Sequence, residues 1–142
     1  MNVKKEEELY EQMRVWLEQY VSDKYKKYDV VKEMANGVDI QIDVLAIAKK
    51  GNDVKLFFIE AKKTKLTLRD LGQLWAYCKL VDPDEAFLLS SADLGSLNKL
   101  LNSFKREDLL DFGDGKKIKK MRVGKWDVGK NVIDYNSLVP KI

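Results

Sequence analysis

Residues 38–62 read VDIQIDVLAIAKKGNDVKLFFIEAK, and this stretch decides the fold. From Val38 the apolar residues first alternate (Val38, Ile40, Ile42, Val44) and then run without interruption to Ala48, as in a strand that enters a core. Lys49-Lys50-Gly51-Asn52-Asp53 reads as a hairpin turn, and Val54 to Ala61 as the returning strand. With the turn centred near Gly51, Asp43 falls opposite Glu60 or its neighbour, within the ~5 Å cross-strand range. Glu60 and Lys62 are two apart and share a face of their strand. Asp39 lies on the same face as Asp43, but the register sets it against residue 63 or 64 and away from Glu60. Three charged groups therefore converge at one end of two strongly apolar strands.

Two carboxylates this close repel unless a cation lies between them; otherwise one takes up a proton. The chain has no His, and Cys78 is its one Cys. This excludes Ser-His-Asp and Cys-His catalysis, histidine metal sites, thiolate zinc, iron–sulfur clusters and an internal disulfide. A metal at Asp43 and Glu60 must have oxygen ligands, which points to Mg²⁺ or Mn²⁺. Such an ion clamps a scissile phosphate and makes water a better nucleophile. Lys62 is placed to orient or deprotonate that water, or to offset charge on the phosphate. The plainer alternative is the polar end of an ordinary strand, with Asp43 as an edge charge.

Outward from the hairpin, residues 5–20 read as an amphipathic helix with Leu9, Met13, Trp16 or Leu17, and Tyr20 on one side. Tyr28 to Met34 is a short strand, and Asn36-Gly37 a turn. After Thr64 the period becomes helical, with Leu68, Leu71, Leu74 or Trp75, and Cys78 along one side, ending before Asp82-Pro83-Asp84. Ala86 to Ser90 is a short buried strand. Asp93 is expected to cap a helix running to about Lys105. Gly113-Asp114-Gly115 marks a turn, followed by polar strands through Trp126 and near Val132-Ile133. Trp16, Trp75 and Phe87 are expected in the core. For Trp126, closing the core competes with stacking on a base or sugar. The chain has no repeat or linker, so one α/β domain is expected over 1–142, with a core at about 5–106 and a basic β segment at 107–142.

Asp43-Val44-Leu45-Ala46, a hairpin, and Ile59-Glu60-Ala61-Lys62 together resemble the PD-(D/E)XK signature of restriction-endonuclease-like nucleases, with Ile42 where the family's Pro often stands. The resemblance covers about residues 5–90; the C-terminal third carries no recognised motif. It implies a restriction-endonuclease-like core: a helix, antiparallel hairpin strands, a crossover helix and a further strand. It also implies Mg²⁺-dependent hydrolysis of phosphodiester bonds in DNA, less often RNA. Asp43, Glu60 and the backbone carbonyl of Ala61 would bind metal, with Lys62 assisting water. Family members often place an early Glu near the metal. Glu6, three residues before the apolar stripe begins at Leu9, is favoured over Glu7, Glu8 and Glu11, although an acidic first turn also suits the helix dipole. Gln73-Leu74-Trp75-Ala76-Tyr77 resembles the Q-x-x-x-Y helix of RecB-like nucleases. Gln73 would then serve the catalytic site and Tyr77 would stack or anchor, one turn apart and with Arg69 a turn earlier. The chain is also similar to the archaeal Holliday junction resolvases, more loosely at Leu68-Arg69-Asp70-Leu71-Gly72.

At 142 residues, 45% hydrophobic and 35% charged, the chain is sized and composed for one globular domain. Its net charge of +3 is small, but its lysines cluster. Nucleic-acid contacts are expected from Lys63, Lys65, Arg69 and Tyr77, and from Lys116, Lys117, Lys119 and Lys120. On composition alone these lysines read equally well as solvated surface. No signal peptide or membrane-spanning run is apparent, so a soluble, cytoplasmic protein is expected. The expected function is a Mg²⁺- or Mn²⁺-dependent DNA endo- or exonuclease, with a structure-selective resolvase as its nearest variant. A non-catalytic nucleic-acid-binding module or subunit is the rival from another class. A double-strand cut would need a homodimer, and a protein partner supplying specificity is left open.

Overall fold

The computed structural model describes residues 5–35, 41–114 and 116–142. Asn36-Gly37, Asp39 and Gly115 lie outside the described residues. Helix α1 (Glu7–Ser22) is followed by β1 (Lys27–Ala35), β2 (Gln41–Lys50), β3 (Asp53–Lys62), α2 (Leu68–Val81) and β4 (Glu85–Ser90). A short helix α3 (Ser96–Asn98), a π-helical turn (Lys99–Ser103) and a 3₁₀ turn (Glu107–Leu110) lead to β5 (Asp111–Asp114), β6 (Lys117–Lys120), β7 (Arg122–Asp127) and β8 (Val132–Val139).

The hairpin of residues 38–62 is the centre of a six-stranded mixed sheet ordered β1-β2-β3-β4-β7-β8. Strands β2 and β3 pair antiparallel from Lys50–Asp53 to Val44–Ile59, turning at Gly51, whose φ of 65° is easily adopted by glycine. Strand β4 lies parallel to β3, and β7 parallel to β4. A parallel neighbour requires a crossover, and α2 supplies it. Thr67 and Asp70 form a reciprocal capping box at its start. Asp82, in the left-handed region, ends it just before Pro83.

Both faces of the sheet are covered, which is why β2, β3 and β4 are apolar runs rather than strict alternations. On one face α1 buries Leu9, Met13, Trp16, Leu17 and Val21 against Val44, Ala46, Phe57, Ile59, Phe87 and Leu89. On the other, α2 and the segment after β4 bury Leu71, Leu74, Cys78, Leu97 and Leu101 against Leu45, Phe58, Leu88 and Val123. The result is a single-domain mixed α/β fold. Among the described residues no helix is long and apolar enough to cross a membrane.

Four expectations are corrected. The C-terminal segment is no appendage: β7 and β8 are two of the six strands, and Trp126 is fully buried with its Nε1 donating to Gln12 Oε1 at 2.9 Å. Only β5 and β6 stand apart, as a two-stranded ribbon. Trp75 is 41% exposed, because the stripe of α2 that faces the sheet is Leu71, Leu74 and Cys78, and the Lys79 ammonium sits over its ring instead. The helix expected from Asp93 to Lys105 is three α-helical residues and a π turn. Asp93 accepts the Gly95 amide ahead of it, and Gly95, at φ 54°, sits so close to the Leu66 carbonyl that a Cβ would clash at 2.4 Å.

Candidate active site

Asp43 and Glu60 sit near the ends of β2 and β3, only 5% and 8% exposed. With Ser90 they are the buried polar residues of the described chain, in a sheet otherwise filled with apolar side chains. The registered pairing of β2 and β3 stops at Val44–Ile59, one step short of this pair. There the Asp43 carboxylate replaces the ladder: its Oδ2 accepts the Ala61 amide at 2.8 Å. The β1 side is irregular at the same level. Lys32 pairs with Val44 and Met34 with Ile42, while Glu33 between them is at φ 57° and leaves Asp43 without a registered partner on β1. Ile42 and Val44 join opposite core clusters, so the alternation of β2 breaks at Asp43.

Glu60 lies close enough to Asp43 for the two carboxyl groups to act strongly on each other. Burial, then the neighbouring Asp43, pushes the Glu60 carboxyl well above the ordinary carboxylate range, with Lys62 opposing and Glu6 adding to the rise. The rise reflects two carboxyl groups held together with little water. The Lys62 ammonium lies 3.9 Å from Glu60 Oε1 with little exposure. Ala61 donates toward β2, whereas the Lys62 carbonyl accepts from Ser91 on the β4 side at 3.0 Å. The N–H and C=O of one strand residue point to the same side, so the Ala61 carbonyl faces the Asp43 side.

Tyr10 is a site residue that the sequence reading passed over. Burial, followed by the nearby Asp43 carboxylate, raises the pKa of its hydroxyl. The available signal was spacing: Tyr10 is one turn after Glu6, on the helix face that meets the hairpin. Tyr10→Phe is expected to lower stability by about 1 kcal/mol by taking a polar neighbour from the buried carboxylates. Urea denaturation monitored by tryptophan fluorescence measures this.

Of the N-terminal acids, Glu6 is the one whose charge acts on Glu60, and Glu6 and Glu7 both act on Tyr10. Glu11 is turned away into ion pairs with Arg14 and Lys32. Among the described residues no three Asp, Glu or Cys side chains converge as a ready cluster. Two carboxylates and one carbonyl still match what Mg²⁺ asks of a protein, since it retains waters and substrate oxygens in its remaining positions. Two buried carboxyl groups side by side are relieved of their repulsion by a divalent cation between them.

On α2, Tyr77 is half-buried and close to the site; burial, then Glu60 and Asp43, raise its hydroxyl pKa. Gln73 and Arg69 are exposed on successive turns toward the helix N-terminus. Lys63 and Lys65 are exposed in the loop after β3, and Lys65 lines a cavity of about 570 Å³ with Lys125, Asp93 and Ser96. The register runs Lys62–Ser90–Lys125 across three strands, bringing Lys125 to the same end of the sheet.

The other basic run is not at this site. Lys119 donates to the Pro83 carbonyl at 2.7 Å and pairs with Asp82 at 2.8 Å, while Lys120 pairs with Asp111. Lys116 and Lys117 are exposed in the β5–β6 hairpin, where the Gly113 carbonyl accepts from Lys79 in the last turn of α2. Asp84, beside Pro83, accepts the Leu56 amide, four residues before Glu60 on β3. That places the Lys119 contacts about 13 Å down the strand from Glu60. Lys119 and Lys120, expected to meet nucleic acid, are held by acidic partners at a distance from the carboxylates. Comparisons with protein-family models, with curated proteins and with solved structures find no match to this chain.

Proposed function

We propose that this chain is a divalent-cation-dependent phosphodiesterase acting on DNA, built on a PD-(D/E)XK, restriction-endonuclease-like core. The observation that carries the proposal is the buried Asp43–Glu60 pair at adjacent strand ends, with the Lys62 ammonium 3.9 Å from Glu60. The order of elements supports it: a helix, an antiparallel hairpin, a crossover helix and a parallel strand, with Asp43 and Glu60 at adjacent strand ends.

Asp43, Glu60 and the Ala61 carbonyl would hold Mg²⁺ or Mn²⁺. Bound there, the cation would supply electrophilic stabilisation of the phosphate and make water a competent nucleophile. Asp43 is held for this task by the Ala61 amide. Lys62 presents a fixed positive charge to a phosphate oxygen or orients the water that attacks it. Tyr77 and Gln73 line the approach from α2, and Lys63, Lys65 and Arg69 supply positive charge for the flanking backbone. One site cuts one strand, so a double-strand cut would require two copies.

Lys62→Gln is expected to lower the cleavage rate by about 10²–10³-fold, the scale of losing one electrostatic contact to the transition state. Mg²⁺ affinity should change little, and single-turnover kinetics with calorimetry separate the two effects. The reading as a whole is tested by titrating Mg²⁺ and Mn²⁺ into the wild type and Asp43→Ala, and by assaying linear, nicked and four-way-junction DNA. Cation-dependent cleavage lost in Asp43→Ala is expected, and preferential cutting of the junction would identify a resolvase. Cleavage undiminished in the variant would overturn the site. DNA binding without cleavage of any substrate would instead favour a binding module.

A further inference from the structure

At the far end of the sheet from the carboxylates, a cavity of about 520 Å³ is lined by Lys24, Tyr25, Lys26, Lys27, Lys49 and Lys50. Two separate pieces of chain build it: the loop from α1 into β1, and the turn of the β2–β3 hairpin. Lys49 is six residues from Asp43 along β2, so the cavity lies about 20 Å from the candidate active site. No acidic side chain lines it.

Charge on this wall is poorly compensated. Lys27 and Lys49 are directly opposed across β1 and β2, a like-charge pairing that disfavours the sheet. Among the described residues, Lys26, Lys27, Lys49 and Lys50 make no ion pair, and Asp53, which faces Lys50 in the register, does not close one. By contrast Lys24 pairs with Glu85 at 3.7 Å and lies over the Tyr20 ring. The C-terminal end of α1 accounts for one or two cations near Lys24 through its dipole. It does not account for Lys49 and Lys50, which the hairpin carries in from elsewhere in the chain.

A concave site lined by five lysines, four of them without an ion pair among the described residues, selects a ligand with several closely spaced negative charges. Tyr25 adds a second element: one edge of its ring packs on Phe57 at 5.9 Å, and the half-buried ring also lines the cavity. Lysine stems and an aromatic ring form walls on which a sugar or base can rest while the ammonium groups hold phosphates.

We propose that this cavity is a second anion site that binds a run of phosphates, either the backbone of a nucleic-acid strand or a free polyphosphate. The site is independent of the nuclease reading, because it uses none of that site's residues and needs no metal.

The test uses the full chain in EDTA, with inorganic tripolyphosphate and a fluorescent oligothymidylate as probes. Amide resonances of Lys26, Lys49 and Gly51 are followed by NMR, and oligonucleotide affinity by anisotropy across a salt series. Both probes are expected to shift these amides. For the single strand, each phosphate contact contributes about 0.7 to the slope of log affinity against log salt. The double variant Lys27→Gln/Lys49→Gln is therefore expected to reduce that slope by about 1.4 and to weaken binding at least 10-fold. Tyr25→Ala distinguishes the sources: weaker oligonucleotide binding with tripolyphosphate unchanged assigns the site to a nucleic-acid strand, and equal binding of both assigns it to phosphates alone. Lys27→Arg/Lys49→Arg should retain binding and controls for folding. Binding of both probes unaltered by the Gln variant would overturn the proposal. So would lysine-dependent binding to anionic lipid vesicles that neither phosphate probe displaces.

Discussion

Glu60→Gln is expected to make the cation-free protein more stable at pH 8, by about 1–3 kcal/mol, and at the same time to abolish its activity. The stability gain follows from the pair. Glu60 is buried beside Asp43, and its folded-state pKa is raised above the ordinary 4.5 by burial first and by Asp43 second. A group with a raised folded pKa contributes its full stability below the unfolded value. That stability is lost as the pH climbs through the raised folded value, because an ionised Glu60 must then face Asp43 without water. A glutamine amide can donate to Asp43 and never ionises. The variant's advantage should therefore be near zero below pH 4.5 and grow toward alkaline pH, appearing at pH 8 as a melting temperature higher by roughly 3–10 °C. Thermal melts in EDTA at several pH values measure it, and an advantage that does not vary with pH would contradict a raised Glu60 pKa. The loss of activity follows from the same substitution, since a neutral amide is a poor ligand for a hard cation. On the proposed function, cleavage should fall by about 10³-fold or more, and added Mg²⁺ should raise the melting temperature of wild type but not of the variant. Opposite movements of stability and activity are the signature of a strained functional pair, and a merely structural pair would not give them.

Phe87→Ala is expected to cost about 3–5 kcal/mol and to lower the melting temperature by roughly 10–20 °C. Phe87 is fully buried on the α1 face of β4. Its ring meets Trp16 edge-on at 5.4 Å and Tyr20 at 5.8 Å, and the Arg122 guanidinium lies 5.8 Å away over the ring. Truncation leaves a void among three rigid partners, two of them on α1. Above them, Tyr20 donates to Glu85 at 2.6 Å, and Arg122 pairs with the same carboxylate at 2.6 Å. That network fixes the C-terminal half of α1 and limits how far the helix can collapse into the void. The opposite half of α1 carries Tyr10 and leads from Glu6, so a loosened helix also loosens the groups that address Asp43 and Glu60. Guanidinium denaturation should show a lower midpoint with an unchanged slope. A cost below about 1 kcal/mol would mean that α1 is not anchored through this cluster.

Much of this was legible in the letters 38–62. A side-chain period of two, a turn at Gly51 and an apolar run bounded by charges fix a hairpin, and the hairpin fixes which residues face each other. Asp43 therefore meets Glu60, and Lys62 shares the Glu60 face, by geometry local to some twenty residues. The helical period of Leu71, Leu74 and Cys78 placed α2 between two strands, and a crossover of that length gives a parallel neighbour. The absence of His and the single Cys removed whole classes of chemistry before any coordinate was considered.

Contacts between distant segments were beyond this reading. The segment from 107 to 142 looked like a basic tail because its lysines stand out, yet Val123, Trp126, Ile133 and Leu138 pack into the core and make it part of the sheet. Lys119 and Lys120 looked available for a polyanion, but partners at Asp82 and Asp111 claim them. Lys24–Lys27 and Lys49–Lys50 looked unremarkable in separate turns, and the fold joins them around one cavity. Tyr10 is an ordinary core residue by its spacing, and only the docking of α1 carries its hydroxyl to Asp43. The sequence by itself determined the hairpin, its register and the placing of its three charged residues, because these depend on backbone periodicity and residue type over short range. Tertiary structure alone decided which charges are paired, which are buried and which stand together, because an electrostatic environment is a sum over neighbours in space.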